Sequence, residues 1–384
     1  MRKLVCLTTE FFSANSLSIN YHLVLLLKGL LGTKEYEAKV YSYEPEPQLT
    51  EKDVLNQLNG EALAGRVAFQ RMTTMAPESW ASELENADVL LCQHYSFTEI
   101  LQETRQRKPG MKIVSWIHSI VQEEFLSGAI GSKNDAYPFI WQQNLQVKLS
   151  DFCIFDSRYD YDLGRMDFRD MKRAEVIWPV TEMGDFRVRR QKSDEELFRE
   201  GRRKLSEMEI LFIGRWDYRK GLDSLIPCSF RMYMEHGVKT VLLTEGSGEY
   251  VISDNAGRRQ YEALEKCGGL RFESWKSDKQ EYTDFLCEKR WVAVMPSYYD
   301  PFNLAAYDCA ALGIPMLVSN RCGVCEILTE GKSIAVCNPY DVEELYQKLY
   351  DLCRAAAEPL PVWPLHYGVS QFECNIRKLF GSWV

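Results

Sequence analysis

The sequence predicts an α/β protein made of two doubly wound halves. Two observations carry that expectation. Short apolar runs, too short for helices, alternate with stretches of helical apolar spacing along all 384 residues. A mixed-charge stretch at 186–209 interrupts the alternation once, and the pattern then starts afresh. The length suits two domains of ordinary size, placed here at 1–185 and 205–364. Strands that alternate with helices pair in parallel and are covered on both faces. Two such sheets facing one another put a central cleft between their C-terminal edges.

Taken in order, residues 3–8 form the first strand. A loop of small polar residues at 13–18 follows, then a helix at 19–31 that ends near Gly32. Residues 38–43 form a second strand, closed by Glu44-Pro45-Glu46-Pro47. Helical material is expected over 51–68. Buried strands fall at 89–92, 112–117, 152–155 and 176–178, with a helix at 137–150. Past the charged stretch, strands are expected at 210–213, 238–244, 270–272, 291–295, 316–319 and 334–336. A strongly periodic helix covers 341–355. Pro359, Pro361 and Pro364 break the chain, and 369–380 form a last helix.

Composition excludes some classes of function. A chain that is 46% hydrophobic and 26% charged is globular rather than disordered. A net charge of −9 speaks against a nucleic-acid binder, which needs a basic face. It leaves room for one local basic pocket. The opening residues carry a basic pair but only a four-residue apolar run before Thr8-Thr9-Glu10, so no signal peptide is expected. No run reaches bilayer-spanning length. The twelve scattered cysteines then read as reduced, buried thiols, and the chain as cytoplasmic with at most peripheral membrane contact.

The most informative stretch runs from Met295 to Ile327. A strand closes at Pro296, and Pro301 keeps a helix out of Asp300. A helix can begin near Asn303, run over Leu304, Ala305, Cys309 and Leu312, and stop at Gly313 and Pro315. Asp300 precedes this helix and Asp308 lies about a turn and a half inside it. Between them the helix start offers unpaired N–H groups and a positive dipole end, a seat for phosphate. Carboxylates beside that seat accept from hydroxyls, so the stretch suits a hydroxyl-rich anionic ligand. The plainer alternative is a capped helix with one stray aspartate. A second stretch, Leu211 to Leu222, opens the second half. Gly214 ends a strand, Arg215 follows, and Lys220 comes five residues later, before a helix near Leu222. Two cations at a strand end can hold a diphosphate from both sides.

Together these stretches resemble the retaining GT-B glycosyltransferases of the family-4 type. Gly214, Arg215, Lys220 and Gly221 match the family's Gly-Arg-x-x-x-x-Lys-Gly, and Pro296, Ser297, Pro301 and Phe302 match its Pro-Ser-x-x-Glu-Pro-Phe-Gly. Gly313-Ile314-Pro315 is similar to its Gly-x-Pro, Gly323 with Glu326 to its Gly-x-x-Glu, and 151–157 to its Ala-Asp-x-x-x-x-x-Ser. The resemblance implies two Rossmann-like domains facing a central cleft, with a C-terminal helix in 365–384 crossing back to the first. It also implies that the domains close on the ligand, flexing at 186–209 and near 362–367. The implied reaction moves a sugar, with retention, from a nucleotide-diphosphate sugar to an acceptor hydroxyl on a glycan, lipid-linked, peptide or small molecule. No metal or other cofactor is expected.

The implied catalytic set is Arg215, Lys220, Asp300 and His118. Arg215 and Lys220 neutralise the leaving diphosphate, where charge grows as the bond breaks. Asp300 holds donor-sugar hydroxyls, and His118, ending the strand at 112–117, is a further donor-sugar contact. Asp308 accepts from the ribose hydroxyls. Gly214, Asn303, Leu304, Gly323 and Val324 line the donor, as does Ser13 in the first-half loop. The chain departs from the family at several of these places. Both family glutamates are aspartates, Asp300 and Asp308. Asn303 stands for the Gly after Phe302, and Cys322 for the first Gly of a pair. Ser13-Ala14-Asn15-Ser16 replace a Gly-Gly loop. Such changes either tune donor choice or mark a weakened enzyme. Two other readings therefore stand beside transfer: a catalytically silent GT-B subunit that stabilises an active partner, and a GT-B-fold nucleotide-sugar isomerase. Weaker signals are Asp160-Tyr161-Asp162, the Asp-x-Asp of metal-dependent transferases of another fold, and Cys322-Gly323-Val324-Cys325, which lacks a second ligand pair for zinc. Thr244-Glu245-Gly246-Ser247-Gly248 is a turn without a dinucleotide-binding fingerprint.

Overall fold

The computed structural model describes the chain apart from residues 13–16, 34, 45–48, 58–59, 74–83, 129–132, 183–203, 245–254, 277, 359, 361–365 and 384. Ser13, most of the charged 186–209 stretch and 245–248 therefore lie outside the described residues. The chain divides into two compact units. One comprises Met1–Phe125, Ile130–Val180 and Gly368–Val384, the other Leu126–Ala129 and Thr181–Tyr367.

The first unit is built on seven parallel strands: β1 (Arg2–Thr9), β2 (Tyr36–Tyr43), β3 (Val67–Met72), β4 (Val89–Cys92), β5 (Lys112–Ile117), β6 (Phe152–Phe155) and β7 (Ala174–Val176). Their order is β3-β2-β1-β4-β5-β6-β7. Val89–Cys92 and Phe152–Phe155 are buried at every position, as runs covered by helices on both faces must be. Two expectations need correcting. The helix at Glu51–Gln57 is short, and by Val67 the chain is already in β3 rather than in a helix. β3 is an edge strand, buried at its two ends and exposed or half-buried between them, with Gln70 and Arg71 among its exposed residues. The strand expected at 176–178 lies at Ala174–Val176, paired with β6. The last helix, Val369–Trp383, belongs to this unit, where the Tyr36 hydroxyl donates to the Phe380 carbonyl at 3.2 Å.

The second unit has six parallel strands: β8 (Glu209–Ile213), β9 (Lys239–Thr244), β10 (Leu270–Ser274), β11 (Trp291–Met295), β12 (Met316–Ser319) and β13 (Ile334–Cys337). The order β10-β9-β8-β11-β12-β13 is that of a Rossmann-type doubly wound sheet. The order in which strands are added reverses between the parallel neighbours β8 and β11, where Ile210 pairs with Val292 and Phe212 with Val294. The loops after these two strands diverge at that switch point, which is where open α/β sheets bind ligands. Among the described residues no helix is long and apolar enough to cross a membrane.

Candidate active site

The two motif stretches of the second unit meet at the switch point. β8 runs into Gly214, whose N–H bonds the Leu243 carbonyl at 3.2 Å. The chain then tightens into a short 3-10 turn, Tyr218–Lys220, capped by Asp217, which accepts from the Arg219 N–H at 2.9 Å. Gly221 closes the turn at φ 74° and begins the helix Leu222–His236. A β-carbon at Gly221 would stand 1.9 Å from the Pro296 carbonyl oxygen. Only glycine permits this approach of the loops after β8 and β11. The Tyr298 N–H bonds the Arg219 carbonyl at 2.8 Å beside it.

This packing delivers Lys220 Nζ to Asp300 Oδ2 at 2.6 Å, an ion pair whose side chains are 17% and 7% exposed. Burial pushes the Asp300 carboxyl up. The charges of Lys220 and Arg219, and hydrogen bonds from Lys220 and the Phe302 backbone, outweigh burial and hold it below the usual carboxylate value. The family's longer glutamate is replaced here by an aspartate that reaches the lysine directly. Arg215 lies apart. Its side chain is 64% exposed and pairs loosely with Asp217 at 3.9 Å. Arg219, which sequence reasoning passed over, is the buried cation of the loop, paired with Asp217 at 3.7 Å and acting on Asp300. Its only signal in the sequence is its place next to Lys220.

Asn303 explains its own substitution. It adopts φ 73°, the left-handed conformation that glycine usually supplies and asparagine tolerates. Its side chain then caps the helix Leu304–Leu312 by accepting from the Ala306 N–H at 3.0 Å. The backbone geometry of the family's glycine is kept and a cap is added. The other N–H groups of the first turn, from Leu304 onward, have no partner within the helix. Asp308 lies inside the helix and is buried; it accepts from the Thr181 hydroxyl and from Tyr282. The backbone N–H groups of Gly323 and Val324 bond the carbonyls of Asp300 at 3.1 Å and Phe302 at 2.8 Å. They thereby pin the loop after β12 to the carboxylate loop.

Residues 193–356 match the family model of glycosyl transferases group 1. That region contains the whole Lys220–Asp300 arrangement. Over 141 residues the chain is 31% identical to a glycogen synthase of Mycobacterium tuberculosis, which covers 36% of this chain and 32% of that protein. It is 23% identical over 212 residues, 54% of each chain, to an uncharacterized 41.2 kDa protein in the cps region of Klebsiella pneumoniae. The chain thus spans about a third of the length of the first curated relatives it matches. Among solved structures, sucrose-phosphate synthase from Thermosynechococcus elongatus superposes with a TM-score of 0.70 at 13% identity over 99% of both chains. Anabaena HepE in complex with UDP-glucose superposes with a TM-score of 0.72 at 13% identity over the full length of both. At these identities the likeness shows the fold, which is GT-B: two parallel-sheet, Rossmann-like domains.

Outside the group 1 region, His118 follows β5 directly. Its Nδ1 lies 3.1 Å from Asp156 Oδ2, and its Nε2 3.1 Å from Gln93 Nε2. His22 packs beside it, with ring centroids 6.4 Å apart. Burial pushes His22 down to about 4 from an ordinary 6.5; Asp156 opposes that shift and His118 adds to it. A histidine depressed on folding contributes stability that is present above its unfolded value and lost as pH falls toward the folded one. His22 alone should therefore remove about 2 kcal/mol of stability between pH 7 and pH 5. Urea unfolding at the two pH values checks this, and His22→Gln should lose that part of the slope. An unchanged slope would show that His22 titrates normally. Asp160 and Asp162 do not converge. Asp160 is fully buried, while Asp162 is on the surface with Arg158 at 3.1 Å. Positions two apart on a helix face different ways. Cys322 and Cys325 are free thiols pushed up by burial, Cys325 to about 12.

Proposed function

We propose that the chain is a retaining glycosyltransferase of the family-4 type that takes its sugar from a nucleotide-diphosphate donor without a metal. The observation that carries the reading is Lys220, paired with Asp300 at the switch point of the group 1 region, four residues ahead of the helix Leu304–Leu312 in the carboxylate loop. A diphosphate there meets a lysine and the helix start, with Arg215 free to swing in from solvent. As the glycosidic bond breaks, negative charge grows on the phosphate, and fixed cations lower that barrier more than they stabilise the bound substrate. Asp300, displaced from Lys220 by the phosphate, becomes an acceptor for sugar hydroxyls. Asp308 keeps Thr181 and Tyr282 and offers its remaining lone pairs to the ribose. His118 is the first unit's candidate contact to the sugar. The acceptor carries a hydroxyl, and the leaving phosphate takes its proton. Anabaena HepE has been solved in complex with UDP and with UDP-glucose, which supports a nucleotide-sugar donor of this kind.

One observation favours a second reading, a silent GT-B subunit. The Lys220–Asp300 pair neutralises the cation that catalysis needs. A single experiment decides between them. In EDTA, at least one of UDP, GDP and ADP should raise the melting temperature, because a ligand of the folded state alone must do so. At a hundredfold excess over Kd the gain is about 2.7 kcal/mol. No shift with any of the three supports the silent subunit. A shift that appears only with added magnesium or manganese would overturn the metal-free reading.

A further inference from the structure

A groove of about 480 Å³ opens on the first unit, between the helix Lys133–Leu149 and the turn that follows the helix Arg158–Asp167. The first of these helices ends just before β6, and the second ends ahead of β7. The groove therefore sits at the N-terminal ends of these strands, the sheet edge opposite to His118 and Asp156. Volumes of about 300–1,000 Å³ are usual for sites that hold small ligands.

Its walls join a flat apolar surface to placed polar groups. Trp141 lines the groove and is 58% exposed, although tryptophan is highly buried in most folded chains. Tyr137, 65% exposed, precedes it by one helical turn on the same face, about 6 Å along the axis. Phe139 packs on Tyr95 with ring centroids 5.6 Å apart, but neither Tyr137 nor Trp141 packs on another ring among the described residues. Asn144 donates from Nδ2 to the Ile140 carbonyl at 2.9 Å, which leaves its Oδ1 as an acceptor. Asp167 is held in place by Gln122, whose Nε2 donates to its Oδ1 at 3.0 Å. Lys148 and Asp170 form an exposed ion pair at 3.4 Å, weak enough to open toward a ligand. Arg169 is the remaining charged residue of the lining, so two cations face two carboxylates and the groove carries no net charge.

We infer that this groove is a carbohydrate site that holds a neutral glycan chain, with one sugar ring against Trp141 and the next against Tyr137. A pyranose has an apolar C–H face and a rim of hydroxyls that both donate and accept. An indole face bordered by an amide, carboxylates and cations matches both. The balanced charge gives no attraction for nucleic acid or anionic lipid, which need a basic patch. Two exposed rings one turn apart fit a chain rather than a single sugar. Their line runs from the groove toward the start of the helix, which lies at the C-terminal edge of the same sheet. That the held chain is also the acceptor rests on the sugar-transfer reading above, and it narrows the acceptor to a neutral glycan.

The test titrates the full chain with hexasaccharides of glucose, mannose, galactose and N-acetylglucosamine, read by calorimetry and by NMR of the nine indole groups. The Trp141 signal is the one lost in Trp141→Phe. At least one hexasaccharide should shift that signal, and its monosaccharide should bind at least tenfold more weakly. Trp141→Ala should lower the affinity at least tenfold, Trp141→Phe should keep most of it, and both should bind UDP, GDP and ADP as the wild type does. Since Trp141 is exposed, both variants should also keep the wild-type melting temperature. In turnover, Trp141→Ala should raise KM for the bound hexasaccharide at least tenfold at unchanged kcat, and an unchanged KM would overturn the acceptor role. No shift with any of the four sugars, or tighter binding of an oligogalacturonate than of every neutral chain, would overturn the site. So would loss in Trp141→Ala of self-association in sedimentation, or of binding to phosphatidylglycerol vesicles, which would give the face to a second copy or to a membrane. Failure of all three nucleotides to bind would remove the donor reading instead, and the hexasaccharide titration would still decide the groove.

Discussion

Replacing Lys220 by alanine is expected to lower donor-dependent turnover on the order of a hundredfold or more. Two effects are mixed in that variant, and the structure separates them. Lys220 and Asp300 form an ion pair in a site where Asp300 is 7% exposed. Removing the lysine strands a buried carboxylate, which costs about 3–5 kcal/mol in comparable buried pairs. A loss of activity by the single variant could then reflect a loosened loop. The double variant Lys220→Ala/Asp300→Asn removes both charges, and its melting temperature should return most of the way to wild type. Its turnover should stay as low as that of the single variant. Near-normal turnover in either folded variant would remove Lys220 from the leaving-group role. Recovery of turnover along with stability would make the lysine a structural partner of Asp300.

The second large effect is expected at Gly221, through packing rather than charge. Alanine there must hold φ near 74° and place its β-carbon 1.9 Å from the Pro296 carbonyl oxygen and 2.7 Å from its carbon. The left-handed backbone alone costs about 1 kcal/mol. The clash is with backbone, which cannot swing away, so the total should reach about 3 kcal/mol or more in urea unfolding. Gly268 supplies the control, since it has φ 72° and nothing within 4 Å of a β-carbon. Gly268→Ala should show the backbone term alone. Equal costs at the two sites would mean that the loops after β8 and β11 are not in contact. Because Gly221 directly follows Lys220, a folded Gly221→Ala protein should also bind nucleoside diphosphate more weakly.

Much of this was written in the chain. Strands buried on both faces must be apolar at nearly every position, so Val89–Cys92, Trp291–Met295 and Met316–Ser319 stand out without a partner in view. The start of the helix Leu304–Leu312 was equally legible, because Pro301 and a capping residue act on their own neighbours. β3 was not. Val67–Met72 carries no alternation of apolar and polar residues, and it becomes a strand by pairing with β2 from Ala38 to Tyr43. Local periodicity, which suggested a helix there, lost to the ladder of hydrogen bonds along the sheet edge.

The sites divide in the same way. Lys220, Asp300, Asn303 and Asp308 could be named from spacing, because each sits in a short stretch whose strand, turn or helix start is specified by adjacent residues. Their partners could not. That Asp300 meets Lys220, that Asp308 is taken up by Thr181 and Tyr282, and that Asp156 meets His118 all depend on residues tens of positions apart. Sheet order places them together, and sheet order is settled by which buried runs pair. A run of four apolar residues says that a strand is buried but does not say beside which neighbour, since the pairing energy lies in backbone hydrogen bonds that every residue but proline can make.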